Sequence, residues 1–126
     1  MTIKKNYVAA VLLLVAGLIH AMVIVEHFEE WWGYGLFFIV ITVYQLWLAY
    51  ILFKHTFPDS AILWAGILGN IAIIVVWIYT RTLGIPFGPE TGEIEGIGTL
   101  DTISKLAEVG TIWFLAVLLN ARSKHF

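Results

Sequence analysis

Residues 101–121 read DTISKLAEVGTIWFLAVLLNA, and the fold turns on whether this stretch crosses a membrane. Its apolar core, Val109 to Leu119, is too short alone, because about 30 Å of hydrocarbon demands about 20 helical residues. A spanning helix here must therefore take in Lys105 and Glu108 and start near Thr99 or Asp101, both good N-cap residues. Working outward, three further stretches reach spanning length without difficulty. Tyr7 to Val25 contains one titratable residue, His20; Gly35 to Phe53 contains one amide, Gln45; Ala61 to Tyr79 contains one amide, Asn70. The sequence predicts an all-α integral membrane four-helix bundle forming one domain over residues 1–126, with spans near 7–25, 35–53, 61–79 and 101–121.

Composition requires lipid as the solvent. Of the 126 residues 60% are hydrophobic and 13% charged, with a mean hydropathy of +0.90. Soluble domains carry about 25% charged residues, and a soluble fold of this length could not hide so much apolar surface. The absence of cysteine excludes disulfides, thiolate metal sites and cysteine nucleophiles. Lys4 and Lys5 ahead of an apolar run give Met1 to Ala21 a superficial likeness to a signal peptide. The run is too long, and the Ala16 to Leu18 region too poor a cleavage site, for that reading.

Orientation follows from Lys and Arg placement. With both termini inside, Lys4, Lys5, Lys54, Arg122 and Lys124 lie on the cytoplasmic side and only Arg81 and Lys105 on the other. The acids divide oppositely: only Asp59 is inner, while Glu26, Glu29, Glu30, Glu90, Glu93, Glu95, Asp101 and Glu108 are outer. Localisation is thus the cell membrane, multi-pass, with cytoplasmic termini and an acidic outer face.

The first outer connection, Glu26 to Gly35, reads EHFEEWWGYG. Trp31, Trp32 and Tyr34 suit the membrane–water interface, so the segment is expected to lie along the surface, with Gly33 and Gly35 bending the chain into the second span. The second, Thr80 to Thr102, is a long Gly/Pro/Glu-rich loop between the third and fourth spans, predicted to fold as a lid over the outer mouth, with Arg81 paired to one of its glutamates. The inner connection KHTFPDS is a short turn in which Asp59 or Ser60 can cap the third span.

Helical rise sets the depth of the ionisable groups. His20 lies about 21 Å above the inner boundary, Glu108 about 18 Å and Lys105 about 22 Å, so the three share one level in the outer half. His27 sits two turns above His20, Asp101 two turns above Glu108, and Asp101–Lys105 is an i,i+4 pair. Ionisable groups inside a membrane are functional candidates by default, and three readings stand. Lys105 and Glu108 neutralise each other, with His20 hydrogen-bonded nearby. Alternatively, a pocket between the first and last spans binds a Zn or Cu ion through His20, Glu26, His27 and Glu108. The third reading, a proton or ion path, is weakened by the absence of ionisable residues in the inner halves of the spans. Gln45 and Asn70 serve as interhelical hydrogen-bond glue.

No phosphate loop, dinucleotide fingerprint, HExxH or nucleophile motif is present, and no basic patch favours nucleic acid. His20, the segment EHFEEWWGYGLFF (Glu26–Phe38), Gln45, and RTLGIPFGPETGEIEGIGTLD (Arg81–Asp101) followed by Glu108 resemble small four-span membrane proteins of unassigned function from bacteria and archaea. The resemblance covers most of the chain and implies the fold without an activity. In size, topology and isoleucine-rich style the chain is also similar to small accessory subunits of archaeal membrane metallo-oxygenases of the ammonia-monooxygenase type. The expected function is a non-enzymatic membrane subunit that docks other subunits of a larger complex through Phe87, Glu90, Glu93 and Glu95, with the Phe37, Tyr44, Trp47 and Phe53 side of the second span as further contact surface. The alternative is a metal- or ligand-binding protein using the outer pocket. The topology has a direct check: cysteines introduced at Thr91 and Ser123 should react with an impermeant thiol reagent from opposite faces of the membrane, and labelling of both from one face excludes four spans.

Overall fold

In a computed structural model, which describes residues 4–123, the chain is helical: α1 (Lys5–Met22), α2 (Ile24–Glu30), α3 (Trp32–Lys54), α4 (Ser60–Thr82) and α5 (Thr99–Ser123). Met1 and Lys124, named above, lie outside the described residues. Four stretches are long and apolar enough to cross a membrane: Lys5–Glu30, Trp32–Lys54, Ser60–Thr82 and Thr99–Arg122. The exterior is that of a soluble protein turned inside out. Val40 and Trp113 are each 66% exposed, while Gln45, Asn70, Glu108 and Thr111 are fully buried. Such a continuous apolar exterior is stable only against lipid.

The expected surface segment at Glu26–Gly35 does not form. The first helix runs on past a break at Val23, where φ −103° and ψ 4° leave the helical range, into α2. A single extended residue, Trp31 (φ −174°, ψ 139°), then reverses the chain into α3. Gly33 and Gly35 are not the hinge but lie inside α3. Their missing side chains make room for the Trp31 and Phe28 rings, which a Cβ at either position would strike.

α1 packs most extensively on α3 and α5, and α4 chiefly on α5; α3 and α4 meet through side chains, Tyr44 against Ala65 and Gly66 and Gln45 against Asn70. One end of the bundle, the turn end, is tied by polar contacts. Asn6 Nδ2 donates to Leu52 O at 2.8 Å, and Arg122 donates to Pro58 O at 3.2 Å. Asp59 occupies the N-cap of α4 without a side-chain capping bond; its carboxylate lies 3.8 Å from Arg122 instead. Inward of this end, Ala9, Leu13, Leu48, Leu52, Leu63 and Leu115 form the apolar core.

At the opposite, loop end, α5 begins with half of a capping box. Gly98 N–H donates to Asp101 Oδ1 at 2.6 Å, satisfying a donor that the helix start would otherwise orphan. Segment 83–98 folds back on itself through Ile85 N–H to Glu93 O and Gly92 N–H to Ile85 O, both 2.8 Å. Gly84 (φ 105°) and Gly88 (φ 86°) supply left-handed turns that other residues adopt only with strain. Of the aromatic face expected on the second span, Trp47 and Phe53 are exposed. Tyr44 instead donates to Ala65 O at 2.6 Å, and Phe37 packs edge-on to Phe87.

The packing of α4 depends on Gly66, where a Cβ would come within 2.5 Å of Leu115 and 2.9 Å of Leu48. Gly66→Val should destabilise the protein by about 1–3 kcal/mol, read as a lowered midpoint of thermal unfolding in detergent; an unchanged midpoint contradicts this packing.

Candidate functional site

Five buried polar side chains, His20, Gln45, Asn70, Lys105 and Glu108, join in one network to which every span contributes. Lys105 Nζ donates to Glu108 Oε1 at 2.8 Å, an i,i+3 pair on α5. The second carboxylate oxygen, Oε2, accepts from Gln45 Nε2 at 2.7 Å, and the same nitrogen reaches Asn70 Oδ1 at 3.2 Å. Asn70 Nδ2 in turn donates to Gly66 O at 2.7 Å. Two acceptors facing Gln45 Nε2 fix which end of that amide is nitrogen. Its oxygen, Oε1, therefore faces His20 Nδ1 at 2.8 Å, and since Oε1 can only accept, Nδ1 carries the proton. His20 then presents the lone pair of Nε2 to Lys105 Nζ at 3.5 Å and lies 3.8 Å from Glu108 Oε2. The chain of donors and acceptors is self-consistent, as a buried polar network must be to avoid large desolvation costs.

Of the residues the sequence singled out, His20, Lys105 and Glu108 come together, with Gln45 as their common partner. Asp101 does not join them. It pairs with Arg81 at 2.9 Å and accepts the Trp77 indole N–H at 2.8 Å, while Lys105 turns toward Glu108. Arg81 is thus held by α5 rather than by a loop glutamate. The four proposed metal ligands also fail to assemble. His27 Nδ1 donates to Val23 O at 2.7 Å with its ring stacked 3.9 Å from Phe38, and Glu26 is exposed. Among the described residues no three His, Asp or Glu side chains gather closely enough to hold a metal ion. His27 follows the helix past Val23 and so belongs to the wall above His20, a consequence of the helical continuation that the sequence reading had placed in a surface segment.

Above the network lies a cavity of about 520 Å³, within the range of small-molecule sites. It is not confined between the first and last spans; residues of every helix and of segment 83–98 line it. His20, Ser104 and Lys105 form its floor, and Phe37, Phe38 and Trp77 stand in its walls. Phe87, Glu90 and Glu95 of segment 83–98 overhang it. Tyr34 fastens this overhang: its hydroxyl donates to Phe87 O at 2.9 Å and accepts from Glu90 N–H at 3.0 Å. Phe87 is packed against the Tyr34 and Phe37 rings, so of the four residues expected to dock a partner, Glu93 is the one that stands clear of the cavity. Partial desolvation, then repulsion from Glu30, Glu93 and Glu95 and a hydrogen bond with Glu30, raise the Glu90 pKa. Folding thus tightens the hold of Glu90 on its proton, and the associated stabilisation is present at low pH and lost as pH rises through the raised pKa.

Comparison with known protein families, curated proteins and solved structures gives no match.

The network makes a sharp energetic demand. Glu108→Ala leaves the Lys105 ammonium buried without its carboxylate and should cost about 3–5 kcal/mol. The double replacement Lys105→Met/Glu108→Leu removes both charges and should recover most of that loss. Thermal unfolding of the three proteins in one detergent measures both effects; a double variant no more stable than Glu108→Ala shows that unpaired charge is not the cause.

Proposed function

We propose that this chain is a non-enzymatic integral membrane protein that binds a small lipid-soluble molecule in the cavity at the loop end of its bundle, with both termini on the cytoplasmic side. One observation carries the reading: the cavity of about 520 Å³ ends on His20 and Lys105, side chains that are 5% and 7% exposed. Ionisable groups at membrane depth are expensive, and here two of them face a space of ligand size. The orientation is supported by the five-to-two partition of Lys and Arg. Metal is not part of the proposal, because the candidate ligands are dispersed.

A second reading, a subunit docked within a larger membrane complex, is favoured by a separate feature. Leu83 and Ile97, both 70% exposed, share segment 83–98 with the exposed Glu93. A partner with an apolar patch and basic groups would match that mixture.

One experiment separates these readings. The protein is extracted from its native membrane in mild detergent and its mass measured under native conditions. The ligand reading expects the 14.2 kDa chain with a small non-covalent adduct that is lost from Val76→Phe, a replacement that fills the cavity. Further polypeptides in the complex establish the second reading. A bare chain at every detergent concentration overturns both.

A further inference from the structure

We propose that the molecule bound in the cavity is neutral and carries a carbonyl on a flat ring, the chemistry of a quinone head group; this rests on the ligand-binding reading above. The first ground is the balance of donors and acceptors around the floor and adjoining wall. Asp101 has both oxygens engaged, Oδ1 by Gly98 N–H at 2.6 Å and Oδ2 by Arg81 at 2.9 Å and Trp77 at 2.8 Å. Thr80 Oγ1 donates to Trp77 O at 2.8 Å and accepts from Arg81 at 2.7 Å. Donors, by contrast, are in surplus. Arg81 Nε is buried and has no hydrogen-bond partner among the described residues. Lys105 makes one short bond, to Glu108, and its contacts to Ser104 Oγ and His20 Nε2, 3.4 and 3.5 Å, sit at the long limit of a hydrogen bond. At the floor the Lys105 ammonium therefore keeps N–H capacity that a ligand oxygen would meet, since the cavity's other carboxylates, Glu26, Glu30, Glu90 and Glu95, belong to α2 and segment 83–98.

The second ground is charge. Five carboxylates, Glu26, Glu30, Glu90, Glu95 and Asp101, line the cavity against two cations, Arg81 and Lys105. Each cation already faces a carboxylate of its own, at 2.9 and 2.8 Å. An anionic ligand would enter a net negative site and give up its hydration without an unpaired cation to meet it. A neutral carbonyl supplies the acceptor without that cost.

The third ground is shape and access. Phe37, Phe38, Trp77 and Phe87 present aromatic surface to the cavity, which favours offset or edge-on packing with a planar ring. The lining is drawn from every helix and from segment 83–98, and a membrane-dissolved molecule reaches it at the loop end.

The test uses the full chain in detergent micelles and titrates three probes by calorimetry: menadione, a neutral naphthoquinone; 2-naphthoate, its anionic ring analogue; and methyl decanoate, a neutral ester without a ring. Menadione should bind saturably with one molecule per chain and at least about tenfold more tightly than either of the others. Arg81→Gln removes one charged donor and should weaken menadione about tenfold, with the melting temperature confirming that the variant is folded. If it is not folded, Val76→Phe keeps every charge in place, fills the cavity and should abolish menadione binding. Tighter binding of naphthoate overturns the neutral head group, and equal or tighter binding of methyl decanoate overturns the ring; the cavity reading survives both. Menadione binding unchanged in folded Arg81→Gln, or in Val76→Phe, overturns the placement. Absence of saturable binding by all three probes removes the ligand-binding reading itself.

Discussion

A carboxamide has one acceptor and two N–H donors, and Gln45 spends them on three other helices at once. From α3 it meets His20 of α1 at 2.8 Å, Asn70 of α4 at 3.2 Å and Glu108 of α5 at 2.7 Å. In lipid the helices gain little from hydrophobic association, so interhelical register rests on packing and on bonds of this kind. Gln45 is also what makes the Lys105–Glu108 pair tolerable. An ammonium and a carboxylate in a low-dielectric interior repay their desolvation only when their remaining hydrogen-bonding capacity is met. Lys105 occupies one carboxylate oxygen and Gln45 the other. The same amide fixes the His20 tautomer, so the lone pair facing Lys105 is a consequence of a residue on a different helix.

The arrangement at the loop end follows from where that network sits. With the helices tied together at the level of Gln45, the space beyond it is overhung by segment 83–98. Tyr34 is the fastener, because its hydroxyl serves a carbonyl and an N–H of the segment together. Gly88 lets the backbone come close enough, since a Cβ there would lie 2.6 Å from that hydroxyl. The carboxylates massed around Glu90 oppose this closure, whereas the helical frame beneath it is tied by Lys105–Glu108.

Much of this was legible in the sequence where the signal is local. Apolar length located four spanning stretches, and helical rise put His20, Lys105 and Glu108 at one depth. Partner choice was not legible, because it depends on azimuth and on which helices are neighbours. Asp101 is spaced for Lys105 along α5, yet Trp77 and Arg81 of α4 claim it from across the bundle, and its other oxygen caps the helix start. Gln45 read as a mid-membrane amide that glues helices; nothing in its flanking residues marks it as the centre of the charged cluster. The Glu26–Gly35 segment misled for a different reason. Its glutamates and tryptophans look interfacial, but acidic residues extend a helix readily, and the reversal needed only one extended residue at Trp31.

The remaining issue is why the polar interior ends where it does. His20 and Glu108 sit above a layer in which Leu13, Leu48, Leu52 and Leu115 are fully buried and Leu63 is 1% exposed. Two turns separate Leu13 from His20 and Leu115 from Glu108, so the layer closes the same four-helix interior just below the network. Below it the next buried polar side chain is Asn6, whose amide is committed to Leu52 O and His55 O at 2.8 and 3.4 Å. A proton or ion moving through would have to cross that close-packed leucine layer with no group to receive it, a step that interior packing opposes as strongly as the missing polar groups do. The cavity is therefore one-ended. A one-ended space with charged groups at its floor and aromatic walls suits the binding reading proposed above better than a path across the bundle, because the leucine layer beneath offers a moving charge no partner.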